Sequence, residues 1–162
     1  MDDRAYRDAL GSFATGVTVV AALDADGAPW GLTANAFASV SLTPRLVSVC
    51  VARRGRAFPV LAAASAFAIT ILAGDQRDVA LRFAGAAENR FAGQRWDAHP
   101  GGGPVLPDAA AWLDCAPHAR VAAGDHEILI GRVVRFGRTP RAPLAYCRGA
   151  FFAVEPQERA HG

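Results

Sequence analysis

The residues from Trp30 to Val51 read Trp-Gly-Leu-Thr-Ala-Asn-Ala-Phe-Ala-Ser-Val-Ser-Leu-Thr-Pro-Arg-Leu-Val-Ser-Val-Cys-Val, with small hydroxyl and amide side chains between two apolar strand candidates. Gly31, Ala34, Ala36 and Ala38 are short enough to let a ring approach the backbone, and Thr33, Asn35, Ser39 and Ser41 offer hydrogen bonds along its edge. That chemistry suits a flat polar ligand. The same residues also suit a Ser/Asn-rich turn joining two core strands, so on residue types alone both readings stand. Other chemistries find less support. His99, His118, His126 and His161 are scattered, without helical ligand spacing or a thiolate cluster, so no metal is expected. No Gly-x-Ser-x-Gly elbow occurs, and no glycine-rich fingerprint opens a helix after a strand. Hydride or electron chemistry would therefore need a borrowed cofactor held on strands and loops.

The elements that must position these residues are mostly short strands. Asp3 can cap a helix that puts Tyr6, Leu10 and Phe13 on one face, limited by Gly11 and Gly16 and expected to pack over a sheet. Val17 to Leu23 is rich in β-branched residues, Asp24-Ala25-Asp26-Gly27 is a turn signal, and Trp30 to Ala34 returns as the second strand of a hairpin. Leu46 to Val51 and Phe67 to Leu72 are further apolar runs. Between them Ala57 to Ala64, with Pro59 near its first turn, reads as a helix. Another helix starts near Asp75, with Val79, Leu81 and Phe83 inward and Gly85 at its end. From Glu88 to Pro107 the sequence is irregular and is expected to be a mobile loop. Ala111 to Ala116, His118 to Ala122, His126 to Phe136 and Gly149 to Val154 are strand candidates. Many short strands without strand-helix-strand alternation imply a mainly β fold with peripheral helices, antiparallel rather than doubly wound.

With 162 residues, 52% hydrophobic and 20% charged, the chain can bury a core as a single domain over residues 1–162. No long uncharged apolar run suggests a membrane span, and the start, Asp2-Asp3-Arg4, lacks the basic and apolar regions of a secretory signal. Cytoplasmic location is the expectation, with Cys50, Cys115 and Cys147 as reduced thiols. The net charge of +2 is too small to argue for nucleic acid. Arg53-Arg54-Gly55-Arg56 reads as a solvated loop or, alternatively, a phosphate contact.

Four blocks carry a resemblance: Phe13-Ala14-Thr15-Gly16-Val17-Thr18-Val19-Val20, the Trp30–Val51 stretch, Arg82-Phe83-Ala84-Gly85, and Ala123-Gly124-Asp125-His126. In order and approximate spacing they resemble the short-chain NAD(P)H:flavin reductases, the reductase components of two-component flavin-dependent monooxygenases such as those acting on phenol or 4-hydroxyphenylacetate. The resemblance runs from about Tyr6 to Val154. It implies an antiparallel six-stranded split β-barrel, the FMN-binding split barrel. It further implies that Thr33, Ala34, Asn35 and Ala36 line the flavin ring, with Ser39 and Val40 near its edge or the ribityl chain. Cys50 and Val51 would approach from the side, and Arg56, Arg82 and Phe83 would serve the phosphate tail. His126 would contact the nicotinamide nucleotide, together with Tyr146, Arg148 and Gly149, and need not act as an acid or base. Here the chain departs from the family: Cys147 stands where a histidine is usual, and Arg45 where many relatives have a second proline.

The implied activity is reduction of FMN or FAD by NADH or NADPH, with the reduced flavin passed to a separate oxygenase. Hydride transfer is governed by stacking of the two rings, so positioning is most of what the protein must add. A split-barrel flavin-dependent oxidase related to the pyridoxamine-phosphate oxidases, and a non-catalytic flavin-binding electron carrier, are the alternatives. A homodimer is expected, because relatives commonly complete the flavin cleft with a second subunit and because Trp112, Phe151 and Phe152 add apolar material. Neither nucleic acid nor membrane is an expected partner.

Overall fold

The computed structural model describes residues 2–154. In chain order the elements are α1 (Asp3–Gly11), β1 (Thr15–Gly16), β2 (Thr18–Leu23), β3 (Pro29–Ala34), β4 (Phe37–Leu42), β5 (Arg45–Ala52), α2 (Phe58–Ala63), β6 (Phe67–Ile71) and α3 (Arg77–Ala84). There follow β7 (Asp97–Ala98), β8 (Pro104–Val105), β9 (Ala111–Ala123), β10 (His126–Arg138), β11 (Leu144–Cys147) and β12 (Ala150–Ala153). Seven strands form one antiparallel sheet ordered β3-β2-β6-β9-β10-β5-β4. Separate small sheets are formed by β1-β11-β12 and by β7-β8.

The mainly β architecture with peripheral helices is as expected, but a six-stranded split β-barrel is not what the strands form. The sheet has seven strands and is open, with β3 and β4 as its unpaired edges. The sheet curls without closing. Its concave side encloses a core of Val20, Val49, Val51, Phe67, Ile69 and Leu129. Asn35 and Ala36 join the two edge strands, and the Ala36 carbonyl accepts from Cys50 N at 3.1 Å. That bond ties the connection to β5 in place of a continuous edge-to-edge ladder. The curl is helped by the length of β9 and β10 and by the register shifts between them at Ile130/Gly131 and Val133/Arg135. One shift absorbs His118, so the two strand candidates around Pro117 are a single strand.

A second core lies on the other side of β2. Val19 and Ala21 face it while Val20 and Ala22 face the first, which is why β2 reads as an unbroken apolar run. Phe83 of α3 and Phe91 fill this core edge to face, with centroids 4.8 Å apart. Gly31 lets them close: a Cβ there would lie 3.2 Å from both rings. On α3 the buried residues are Ala80 and Phe83, whereas Leu81, expected inward, is exposed.

The segment expected to be a mobile loop is largely packed. Phe91, Val105 and Leu106 are buried, and a Cβ on Gly103 would fall 2.4 Å from Ala68 N, so the backbone itself lies against β6. Side-chain chemistry holds it there. Buried Asp114 lies 3.1 Å from His99 Nδ1 and 3.4 Å from Arg135 Nε, and His99 stacks on Trp112.

Helix α1 departs most from its expected role. Asp2 caps it by accepting from Arg4 N, but the helix has no buried residue, and Tyr6, Leu10 and Phe13 are all exposed. It does not pack over a sheet. Its C-terminal end is held instead by the β11–β12 turn, through Arg148 N donating to Gly11 O at 2.8 Å. Strands β4 and β11 also went unread in the sequence: on β4 no side chain is fully buried, so no alternation marks it.

Candidate functional site

A cleft of about 1480 Å³ opens where α1, β1, the β3–β4 connection, β5 and the β11–β12 turn meet. Its small-residue wall is Asn35, Ala36, Phe37 and Ala38, with Ser48 and Cys50 from β5. Alternation on β5 explains that pair. Val47, Val49 and Val51 are buried in the first core, so Ser48, Cys50 and Ala52 project from the opposite face. Ala14, Thr15, Gly16 and Thr18 form a second wall, and a Cβ added to Gly16 would meet nothing within 4 Å. The third wall combines Arg7, Asp8 and the Leu10–Phe13 end of α1 with Tyr146, Arg148 and Gly149.

Of the residues singled out in the sequence, Asn35, Ala36, Cys50, Tyr146, Arg148 and Gly149 meet in this cleft. Others stand behind it. Thr33 donates its hydroxyl to Ala80 O at 2.6 Å, tying β3 to α3. Ala34 is buried and accepts from the Thr18 hydroxyl at 2.7 Å, while Val51 and Phe83 are core residues. Ser39 and the half-exposed Val40 lie farther along β4, outside the lining. Arg56 is 3.6 Å from Glu88, and Arg82 donates to Ala92 O; neither lines the cleft.

His126 opens β10 and pairs with Ala52 of β5, two residues beyond the pairing of Ile128 with Cys50. Directly paired antiparallel residues share a face, so His126 projects on the side of Ser48 and Cys50, about 7 Å along the strand from Cys50. Its Nδ1 lies 2.7 Å from Asp125 Oδ1. This contact is the main reason that the Asp125 carboxyl sits below the usual carboxylate range. The pairing orients the imidazole and leaves Nε2 for another partner.

A model described as "Flavin reductase like domain" matches residues 10–155. The chain belongs to the flavin reductase like family. Its relatives include the stachydrine N-demethylase reductase subunit Stc3 of Rhizobium meliloti, 44% identical over 99% of this chain and 70% of that protein. The reductase component of the flavin-dependent trigonelline monooxygenase of Acinetobacter baylyi is 48% identical over 92% of this chain, which spans only 48% of that relative's length. Among solved structures, the Streptomyces globisporus NADH:FAD oxidoreductase SgcE6, in complex with NAD and FAD fragments, superposes with a TM-score of 0.89. That structure is 36% identical, with 96% of this chain and 95% of the other covered.

The cleft of this flavin reductase like domain fits a flavin. It combines large volume, small residues at Gly16, Ala36 and Ala38, and polar side chains at Asn35 and Ser48. Thr15 Oγ1 is buried without a hydrogen-bond partner among the described residues, so it lies behind the surface of that wall. The sequence reading missed Ser48, Ile71 and the contribution of α1 and its exit. The small residues of Phe13-Ala14-Thr15-Gly16 were the available signal. Among the described residues no group of three or more His, Cys, Asp or Glu is placed to hold a metal, and no helix is long and apolar enough to cross a membrane.

Proposed function

We propose that this chain is an NAD(P)H-dependent flavin reductase that reduces FMN or FAD and hands the reduced flavin to a separate monooxygenase component. The observation that carries this reading is the cleft wall of Asn35, Ala36, Ala38, Ser48 and Cys50, in a chain of this family. The relative named as the reductase component of a flavin-dependent monooxygenase, and the one named as the reductase subunit of an N-demethylase, support a separate partner component.

The chemistry that a bound flavin supplies is acceptance of hydride from a reduced nicotinamide. The chain's own work is binding and orientation. Asn35 offers an amide, able to donate and accept, at the edge of the small-residue wall; Ala36, Ala38 and Gly16 keep that wall accessible. Cys50 adds an apolar, half-buried side chain. Thr33, Ala34, Val51 and Phe83 act from behind by fixing β3 and β5 against the cores. His126, held by Asp125, orients the nicotinamide side with Tyr146, Arg148 and Gly149, and no side-chain nucleophile or proton relay is required.

The test mixes purified protein with NADH or NADPH and with FMN, FAD or riboflavin, following nucleotide oxidation and flavin dissociation together. Flavin-dependent oxidation of either nucleotide with release of flavin is the expected result. Tight flavin retention without nucleotide turnover would instead make it an electron carrier. The protein is further proposed to act in the cytoplasm as a homodimer. The dimer is supported by exposed Phe13, Leu42, Phe136 and Phe152 rather than by Trp112 and Phe151, which pack within the chain. Light scattering at micromolar concentration checks it, and a fully active monomer would refute it.

A further inference from the structure

The charged side chains on the cleft wall are Arg7, Asp8 and Arg148. Arg7 and Gly11 are four residues apart on α1 and so lie on one face of the helix. Gly11 O accepts the Arg148 N–H at 2.8 Å, which brings Arg148 to the same end of that face. Among the described residues Arg7 has no ion pair or side-chain hydrogen bond. Arg148 uses only Nε, which donates to Ser12 Oγ at 3.3 Å, leaving its two terminal nitrogens free.

The position of Arg148 is locally unfavourable. Cys147 pairs with Ala150, so Arg148 and Gly149 form a two-residue hairpin turn, and both have positive φ, 47° and 82°. Such turns favour Asn or Gly at the first position, because a branched-out L side chain is strained there. Turn preference does not account for an arginine; its guanidinium beside the cleft does. Two guanidinium groups with unspent donors on the wall of a large cleft match the oxygens of a phosphate ester.

We propose that Arg7 and Arg148 form an anion subsite that takes the phosphate groups of a nucleotide bound in the cleft. This rests on the flavin reductase reading, and it adds α1 to the binding machinery. The phosphate belongs either to the flavin or to the nicotinamide dinucleotide, which present the same chemistry. Asp8 sets a limit on the charge the site tolerates, since one carboxylate offsets part of the two positive charges.

Fluorescence quenching gives dissociation constants for riboflavin, FMN and FAD, and calorimetry gives that for NAD⁺, in wild type, Arg7→Gln, Arg148→Asn and the control Arg4→Gln. Asn suits the turn and Gln suits the helix, so both variants remove charge while preserving backbone. Charge-assisted contacts of solvent-accessible guanidiniums predict a loss of roughly 5- to 15-fold for the phosphate-bearing ligand. Weakened FMN and FAD binding with unchanged riboflavin assigns the site to the flavin phosphate; weakened NAD⁺ alone assigns it to the dinucleotide. Inorganic pyrophosphate should compete with the affected ligand in wild type and not in the variants. Unchanged constants for all ligands, an equal loss for riboflavin, or the same loss in Arg4→Gln would overturn the subsite. A wild type that oxidises NAD(P)H with flavin while the variants bind normally refutes the subsite alone. A wild type that binds neither flavin nor nucleotide refutes both readings.

Discussion

Replacing His126 by Ala isolates what one orienting side chain contributes to hydride transfer. The imidazole projects from the cleft-facing side of β10, its Nδ1 engaged by Asp125 at 2.7 Å and its side chain 44% exposed. In the neutral ring an Nδ1–H donated to the carboxylate leaves Nε2 as an acceptor for a carboxamide N–H. A neutral hydrogen bond of this kind contributes about 0.5–1.5 kcal/mol, so truncation should change the apparent nucleotide affinity or the reduction rate roughly 2- to 13-fold. Flavin affinity should hardly move, because Asn35 lies in the β3–β4 connection and Cys50 on β5, apart from His126 at the start of β10. The assay is stopped-flow reduction of the flavin-loaded protein across nucleotide concentration and pH. The carboxyl of Asp125 should also titrate higher in the variant, since its downward shift comes first from the His126 hydrogen bond. A loss of about 100-fold or more together with a vanished pH inflection would mean that His126 moves a proton, and the positioning argument would be wrong. No change in either nucleotide affinity or rate would remove His126 from the site altogether.

Three further outcomes follow from individual residues. Asn35→Leu removes an amide and fills the cleft wall, so flavin affinity should fall by about 10-fold in a protein with normal circular dichroism; normal affinity would remove Asn35 from the site. Gly131→Ala would set a Cβ 2.5 Å from Phe67 Cζ and 2.9 Å from Cys115 Cβ, both fully packed. Overpacking of this kind costs about 1–3 kcal/mol and should lower Tm by roughly 2–12 °C, and an unshifted melting curve would contradict it. Burial first, and the neighbouring Asp114 second, push the Cys115 thiol up from 9.0 to about 12. Between those values the unfolded chain binds fewer protons than the native one, so stability should fall as pH rises through that window. At pH 8 its thiolate fraction is on the order of 10⁻⁴, so alkylation should await unfolding; rapid labelling of the native protein would refute the assignment.

Local chemistry in the sequence determined a good part of this molecule. The β2–β3 hairpin was legible because β-branched residues flank Asp24-Ala25-Asp26-Gly27, where Asp24 accepts from Asp26 N, Ala28 N and the Trp30 indole. Helix α2 was legible from Pro59 and its alanines, and β5 from its apolar run. Asn35, Ala36 and Cys50 could be proposed for a ligand surface because short side chains and amides are informative without knowing their neighbours. Closure was not legible, since it depends on whether β3 and β4 pair, and the answer, a bond from Cys50 N to Ala36 O, is a long-range contact. Nor could the sequence tell a glycine that loosens a loop from one that lets backbone touch backbone, as Gly103 does against β6. The clearest case is α1. Its apolar stripe of Tyr6, Leu10 and Phe13 reads as a packing face, yet all three are exposed and it is the helix's end that is tied down, by a turn more than a hundred residues away. Amphipathic spacing specifies that a face exists; only the tertiary arrangement decides what, if anything, lies against it.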